Sequence, residues 1–179
     1  AMAQQGRMRS ALYAVAIKET KGLRFQPPEQ ADLDALVAAE KELNKLRPAW
    51  EKNNVIPTEK IPPGDKTGDV RDTQSKGNDK PLKRGETEWT HFFMPRQLLA
   101  TGVLVEELNR LRPEVCKAEG ESLSAAVVHL LALVLDKFLN HNCNGTRWEN
   151  TRAVVKSKMD RHDYAYKLTF AELAPCNSG

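Results

Sequence analysis

One long apolar segment in the C-terminal half constrains the fold more than any other feature of the sequence. Between Leu123 and Leu139, apolar side chains recur at helical spacing and cover most of the circumference. A helix that is apolar nearly all round is typical of the centre of a core. The sequence therefore predicts a central core helix over residues 123–140, with Ser122 as its N-cap.

Two further helices are predicted from amphipathic periodicity. Apolar residues at every third or fourth position predict a helix over residues 95–111, after which Pro113 interrupts the chain. A similar pattern predicts a helix over residues 29–46. Pro48 is expected to end that helix, and Trp50 to fold back on its last turn.

The N-terminal segment has the alternation of a β-hairpin. Residues 10–26 contain two short apolar runs, and Lys21-Gly22 between them is expected to form the turn. Both faces of the first run are apolar, with Tyr13 on one face and Leu12 on the other. Such a strand is typically covered on two sides, so the hairpin is expected to need a packing partner.

Between residues 53 and 87 neither helical nor strand periodicity is present. The chain therefore divides into a hairpin plus helix (1–52), an irregular linker (53–87) and a helical core segment (88–179). Alternation around Tyr164 adds a short C-terminal strand or turn. The predicted fold class is α+β, mainly α, and the chain is expected to be one incomplete domain of a larger protein.

Composition excludes several classes of protein. Of the 179 residues 40% are hydrophobic and 28% charged, and the net charge is only +3, too small to predict nucleic-acid binding by itself. No apolar run approaches 18 residues, so no membrane span is expected, and the N-terminus lacks a secretory h-region. Three cysteines without a CxxC pair predict a reducing, cytoplasmic location.

No catalytic or metal centre is predicted. The sequence contains no Gly-rich nucleotide loop, no HExxH and no GxSxG, and neither proline pair forms the Asp/Asn-Pro-Pro-aromatic motif of amino-methylating enzymes. His141 and Cys143 are the one pair with zinc-ligand spacing, and a satisfied helix terminus is the alternative interpretation. His129 is expected to be a hydrogen-bonded core histidine.

Two polar groups are candidates for DNA contact. Arg161-His162-Asp163 precedes Lys167, and these residues either cap a turn before a strand, bind DNA, or act as an acid–base pair. The acid–base interpretation is geometrically poor because neighbouring strand residues point to opposite faces. Arg147-Trp148 predicts a stacking platform for a base, or alternatively a core aromatic.

Two sequence blocks resemble a known family. The segment Trp89–Ala100, which contains Pro-Arg-Gln-Leu-Leu-Ala, and the stretch Arg161–Glu172 resemble signatures of a family of predicted adenine-specific DNA methylases. Those prokaryotic proteins carry a zinc ribbon and a domain of unknown function, and often occur in phage-defence clusters. The intervening helix, Asn-rich turn and Arg-Trp pair follow in the family's order. The opening hairpin is similar to the segment after the zinc ribbon.

The sequence departs from the family in two places. Met94 stands where the family commonly has Thr, so the capping box with Gln97 is weakened. The linker over residues 53–87 is also long. Without this resemblance, Arg96 and Gln97 are first-turn polar residues that satisfy a helix end.

The resemblance implies a non-catalytic central segment of an S-adenosylmethionine-dependent DNA adenine methyltransferase. Its cofactor turn and catalytic motifs would lie outside this chain, which is expected to bind no cofactor or metal and to support the catalytic domain. If this segment contacts DNA, the contact is expected through five residues: Arg96, Arg147, Arg161, His162 and Lys167. The alternative is a non-enzymatic helical interaction module of a prokaryotic defence complex.

Overall fold

The computed structural model describes residues 10–61, 81–157 and 169–173. It confirms the predicted class, a mainly helical α+β chain with an N-terminal hairpin and a short C-terminal strand pair. Two single turns of 3₁₀-helix, Pro81–Arg84 and Trp89–Phe92, precede the second helix. The strands and α-helices are β1 (Val15–Glu19), β2 (Gly22–Gln26), α1 (Gln30–Lys52), α2 (Pro95–Glu119), α3 (Glu121–His141), β3 (Arg147–Glu149) and β4 (Val154–Lys156).

The N-terminal hairpin forms as predicted, but its turn lies one residue earlier. Glu19 pairs with Gly22, so the turn residues are Thr20 and Lys21, and Gly22 opens β2 with φ +123°. The described chain leaves the hairpin largely exposed, with Tyr13, just before β1, at 67% and Phe25 at 56% exposure, so the packing partner that the sequence predicts for it stays a prediction. Within the described residues, the hairpin makes an edge-on aromatic contact between Phe25 and Trp148 of β3, with ring centroids 5.4 Å apart.

Helix α1 does not end at Pro48, which corrects the first helix prediction. It continues to Lys52 with Pro48 inside it. An interior proline removes one helical hydrogen bond and costs about 3 kcal/mol. Here Trp50, two residues beyond Pro48, is only 1% exposed in the core. Burying that side chain offsets the cost, so Trp50 lies within the helix instead of folding back on it.

The ends of the predicted linker are ordered and partly buried. Val55 and Ile56 lie shortly after the end of α1 and belong to the core. The backbone N–H of Ile61 donates to the Thr87 carbonyl at 2.9 Å, and Lys60 forms an isolated antiparallel bridge with Glu88. Residues 62–80 lie outside the described part of the chain. The linker therefore leaves and re-enters the fold at adjacent points.

Helices α2 and α3 are joined by a single residue. α2 continues through Pro113 to Glu119, eight residues beyond its predicted end. Gly120, at φ +84°, turns the chain back into α3, and Ser122 lies inside that helix instead of capping it. A positive φ is accessible to glycine without steric cost, which permits so short a connection. Ser124 Oγ donates to the Arg112 carbonyl at 3.3 Å and links the two helices.

The core lies between α1 and α2, which overturns the prediction that α3 is its central helix. Its most buried apolar side chains are Leu43, Trp50, Ile56 and Leu98, together with Val55. α1 and α3 each pack on α2. α3 therefore has a helical neighbour along one side only within the described chain, and Ser124 is its one fully buried residue there.

The strand predicted around Tyr164 falls outside the described residues. The C-terminal sheet that the structure does describe is the antiparallel pair of β3 and β4, in which Arg147 faces Lys156 and Glu149 faces Val154. These strands have three residues each, too few to produce a clear alternation in the sequence.

Candidate functional site

The outward side of α3 carries an apolar surface that the described chain leaves uncovered. We name it the outer α3 stripe. Three of its members, Leu130, Leu133 and Val134, are 63–65% exposed. A single exposed leucine needs no explanation, but a contiguous apolar patch on a surface usually marks an interaction site. The full stripe consists of Leu123, Ala126, Leu130, Leu133 and Val134.

The stripe is distinct from the side of α3 that packs on α2. At 100° per residue, Ser124, Val127 and Leu135 lie on the α2 side, where each is buried or half-buried. His129 and Asp136 lie on a third, exposed polar flank. α3 thus has two apolar faces and one polar flank, although its sequence pattern predicted that both apolar faces belong to the core. The prediction of a core histidine at position 129 is wrong for the same reason.

By length and composition alone, α3 is long and apolar enough to span a membrane, although the sequence analysis expected no such segment. Only 6% of its most apolar 18-residue stretch is buried, so α3 differs from the enclosed core helices that pass the same test. One helix of this kind is weak evidence for a membrane. Its exposed polar flank and the charged Asp136 and Lys137 near its end instead indicate an amphipathic helix.

A second candidate region is the buried polar junction where α2 begins and α3 ends. Gln97 is 0% exposed, and its Oε1 accepts a hydrogen bond from the Met94 N–H at 2.9 Å, which caps α2 despite the methionine. Thr146 is also 0% exposed, and its hydroxyl bonds to the carbonyls of Cys143 and Ala171. The junction therefore attaches residues 169–173 to the helical part of the fold.

Arg96 belongs to this junction and forms an ion pair. Its guanidinium Nη2 donates to Oε1 of Glu172, whose side chain is 16% exposed. The pair connects the two sequence blocks that carry the family resemblance, one in α2 and one near the C-terminus. Gln97 satisfies the helix end, as its alternative interpretation predicted. Arg96 holds a carboxylate of this same chain.

Replacing Arg96 with alanine is expected to loosen residues 169–173. A hydrogen-bonded charge pair contributes about 1.5–3 kcal/mol, and Glu172 would lose its cation in a mostly buried position. Hydrogen–deuterium exchange should show faster exchange in that segment. Arg152, an exposed arginine, is the matched control, and Arg152→Ala should change the free energy of unfolding by less than about 0.5 kcal/mol. Unchanged exchange in Arg96→Ala would contradict the anchoring role.

Arg147 and Trp148 lie in β3, the other candidate DNA-contact group. Both are half-buried, and the Trp148 and Phe25 rings are in edge-on contact. Trp148 thus contacts the hairpin from the C-terminal strand pair, and its predicted role as a stacking platform stays a prediction. The remaining three candidates, Arg161, His162 and Lys167, lie outside the described residues.

Glu149 in β3 is the described carboxylate with a strongly shifted pKa. Hydrogen bonds from Lys156 Nζ at 2.9 Å and Thr151 Oγ1 at 2.7 Å favour its ionised form and lower its pKa to about 2. The carboxylate thereby ties the two strands and their turn together. Its charge is neutralised by Lys156 across the hairpin.

The low pKa of Glu149 predicts a defined pH dependence. Because the folded-state pKa lies below its ordinary value of 4.5, this stabilisation is fully present above about pH 4.5 and is lost as the pH falls through about 2. Carboxyl-carbon NMR of Glu149 should titrate with a midpoint near 2. In Lys156→Met the midpoint should move up toward 4.5. A midpoint that stays near 2 without Lys156 would show that another group lowers it.

The described residues contain no group of three or more potential metal ligands. The His141 ring contacts the Lys137 carbonyl at 3.0 Å, within its own helix, as the helix-terminus interpretation predicted. Cys143 is buried, at 3% exposure. The two residues with zinc-ligand spacing therefore lie at the end of α3, one in a contact within the helix and the other buried.

Comparisons with known proteins leave these features as the basis for inferring a function. A scan against protein-family models matches no family, and searches of curated proteins and of solved structures return no match. Any role of the outer α3 stripe is therefore inferred from its exposure and its apolar composition.

Proposed function

We propose that this chain is a non-catalytic helical interaction module, which associates with protein through the outer α3 stripe. The observation that carries this proposal is the exposure of Leu130, Leu133 and Val134, at 63%, 64% and 65%. Leaving these side chains in water is costly, since burying each one contributes about 1.5–3 kcal/mol. Covering them with a protein surface recovers that free energy.

The family resemblance supplies a wider context for this module. In that context it is the central segment of a DNA adenine methyltransferase, or a separate member of a cytoplasmic defence complex. The Arg96–Glu172 pair supports this proposal because it joins the two resembling blocks in one junction. S-adenosylmethionine would bind in another part of the parent enzyme. The sequence contains no Gly-rich turn after a strand, the feature that such a cofactor site requires.

The proposal is tested by comparing two lysine substitutions on one helix. Leu130→Lys places a charge in the outer α3 stripe, whereas Ala125→Lys places the same charge on an exposed position of the polar side. We expect the wild-type chain and Ala125→Lys to co-purify with a partner protein, and Leu130→Lys to lose that partner. Circular dichroism should show equal helicity in all three.

Two further titrations test the alternatives of cofactor binding and DNA binding. We expect no calorimetric heat with S-adenosylmethionine and no salt-dependent binding to duplex DNA at low salt. DNA binding that is lost in Arg147→Ala but kept in Leu130→Lys would replace the proposal with a nucleic-acid module. Clear cofactor binding would overturn the non-catalytic assignment.

A further inference from the structure

We infer that the N-terminus of α2 is an exchangeable oxyanion site. The Glu172 carboxylate fills it in this structure, and a free phosphate-type anion takes it by displacing that carboxylate. The site is separate from the proposed function, because no residue of the outer α3 stripe takes part in it. It consists of a cation, a buried donor that this chain leaves unused, and a carboxylate held through one of its two oxygens.

The first turn of α2 has the electrostatics of an anion site. α2 begins at Pro95 and is 25 residues long, and its first turn contains no acidic side chain of its own. The N-terminus of a helix carries partial positive charge and attracts anions. Arg96 adds a full positive charge there, on a side chain that is 34% exposed and so can be reached from solvent. A guanidinium group is well suited to bind phosphate oxygens.

Gln97 supplies a second, independent observation that points to a ligand. Its Oε1 accepts the Met94 N–H at 2.9 Å, which holds the side-chain amide over the N-terminus of the helix. The Nε2 of the same amide is fully buried and has no hydrogen-bond partner among the described residues. Buried donors are nearly always paired in folded proteins, because leaving one unpaired is costly. An oxyanion at this end of α2 would accept from Nε2.

Glu172 is an incomplete match for this site. Its Oε1 accepts from Arg96, whereas its buried Oε2 has no partner among the described residues. A tetrahedral oxyanion presents more acceptor oxygens, in more directions, than a carboxylate does. It therefore satisfies both the Arg96 guanidinium and the Gln97 amide better than Glu172, which satisfies the guanidinium through one oxygen.

Exchange of the two anions would change how the C-terminal segment is held. Residues 169–173 are attached through the Arg96–Glu172 pair and through the Thr146 hydroxyl, which bonds to the Ala171 carbonyl. An anion that takes Arg96 removes the first attachment and leaves the second. Anion binding at α2 and release of residues 169–173 are therefore coupled.

The test is a titration of the whole chain with inorganic phosphate at constant ionic strength, with chloride as the replaced salt. Amide NMR signals of Arg96 and Gln97 should shift and saturate, and hydrogen exchange in residues 169–173 should become several-fold faster. Chloride alone should produce neither effect. Exchange rates in that segment that do not respond to saturating phosphate would overturn the coupling.

Two glutamate substitutions on either side of this comparison test the competition. Glu172→Gln keeps the shape of the side chain and removes its charge, so phosphate should bind about tenfold or more tightly without a competing carboxylate. Glu119→Gln removes an exposed carboxylate from the opposite end of α2 and should leave the affinity unchanged. A pair with a structural role alone would give no gain in affinity. Equal affinity in Glu172→Gln and the wild-type chain, or binding by Glu172→Gln alone, would overturn the exchange.

Two substitutions in α2 test the groups that hold the anion. Gln97→Glu keeps the oxygen that caps α2 but replaces the Nε2 donor with a carboxylate oxygen, so phosphate should bind about tenfold or more weakly. Arg96→Lys keeps the charge at a partly exposed position but loses the guanidinium fork, and should weaken binding several-fold. Circular dichroism should show unchanged helicity in both. Full phosphate affinity in Arg96→Lys and in a folded Gln97→Glu would overturn the site.

A parallel titration with a short DNA duplex identifies the source of the phosphate. We expect the duplex to bind no more tightly than inorganic phosphate at the same ionic strength. A duplex that binds more tightly, is displaced by phosphate and is lost in Arg96→Ala would overturn the free anion in favour of a nucleic-acid backbone. None of these results depends on Leu130, so the site and the proposed function can fail separately.

Discussion

Replacing Trp50 with alanine is expected to lower the free energy of unfolding by about 3–5 kcal/mol. Trp50 is 1% exposed and lies in the same cluster as Leu43, Ile56 and Leu98. Its indole N–H also donates to Glu106 Oε1 at 3.3 Å. The substitution leaves a cavity between α1 and α2 and removes the hydrogen bond that joins them. Urea unfolding followed by circular dichroism measures the loss.

Trp89 provides the matched control for this prediction. It is 43% exposed and stacks on Phe92, with ring centroids 5.7 Å apart. Trp89→Ala removes an equal volume from a half-solvated position, so we expect a loss of less than about 1.5 kcal/mol. Equal losses from the two tryptophans would contradict the placement of the core between α1 and α2.

Gly102→Ala is expected to destabilise the protein by about 1–3 kcal/mol or more, although alanine has a higher helix propensity than glycine. Alanine in a helix interior is normally favoured over glycine by about 1 kcal/mol. At this position a Cβ would lie 2.2 Å from Cζ3 of Trp50 and 2.6 Å from Cε3, well inside van der Waals contact. The indole rests directly on the α2 backbone, so a methyl group there forces the two helices apart.

A double-mutant cycle isolates this clash from other effects. In a Trp50→Leu background the atoms that oppose the new methyl group are gone, so the cost of Gly102→Ala should largely disappear. Thermal unfolding is the measurement, and a loss of about 2 kcal/mol should lower Tm by about 4–8 °C in a chain of this size. An increase in stability from Gly102→Ala alone would show that the indole does not rest on α2.

The prolines show where local sequence rules stop predicting this fold. Those rules predict that Pro48 and Pro113 each end or interrupt a helix, yet α1 and α2 continue for several residues beyond them. The rule describes a local free-energy cost of about 3 kcal/mol. Whether burial beyond the proline exceeds that cost depends on which side chains a distant helix covers. At Pro48 the deciding contact is between Trp50 of α1 and Gly102 of α2, which are far apart in the sequence.

The candidate site also combines features that are visible in the sequence with features that depend on contacts between distant residues. The composition and spacing of α3 were visible in the sequence, including the outward residues Leu123, Ala126 and Leu130. Periodicity reports that a helix is apolar on a given side, but it does not report what covers that side. The junction of Arg96 with Glu172 was invisible for a related reason, because an ion pair between residues 76 positions apart has no local pattern.

The sequence by itself determined the class of fold, the hairpin, the three helices and the absence of familiar catalytic motifs, because hydrophobic spacing and turn residues act over a few positions. Only the tertiary structure decided that α1 and α2 enclose the core and that α3 packs on α2. Burial depends on which elements meet in space, and that is set by side chains far apart in the chain. The same decision left the outer α3 stripe exposed, and with it the surface on which the proposed association depends.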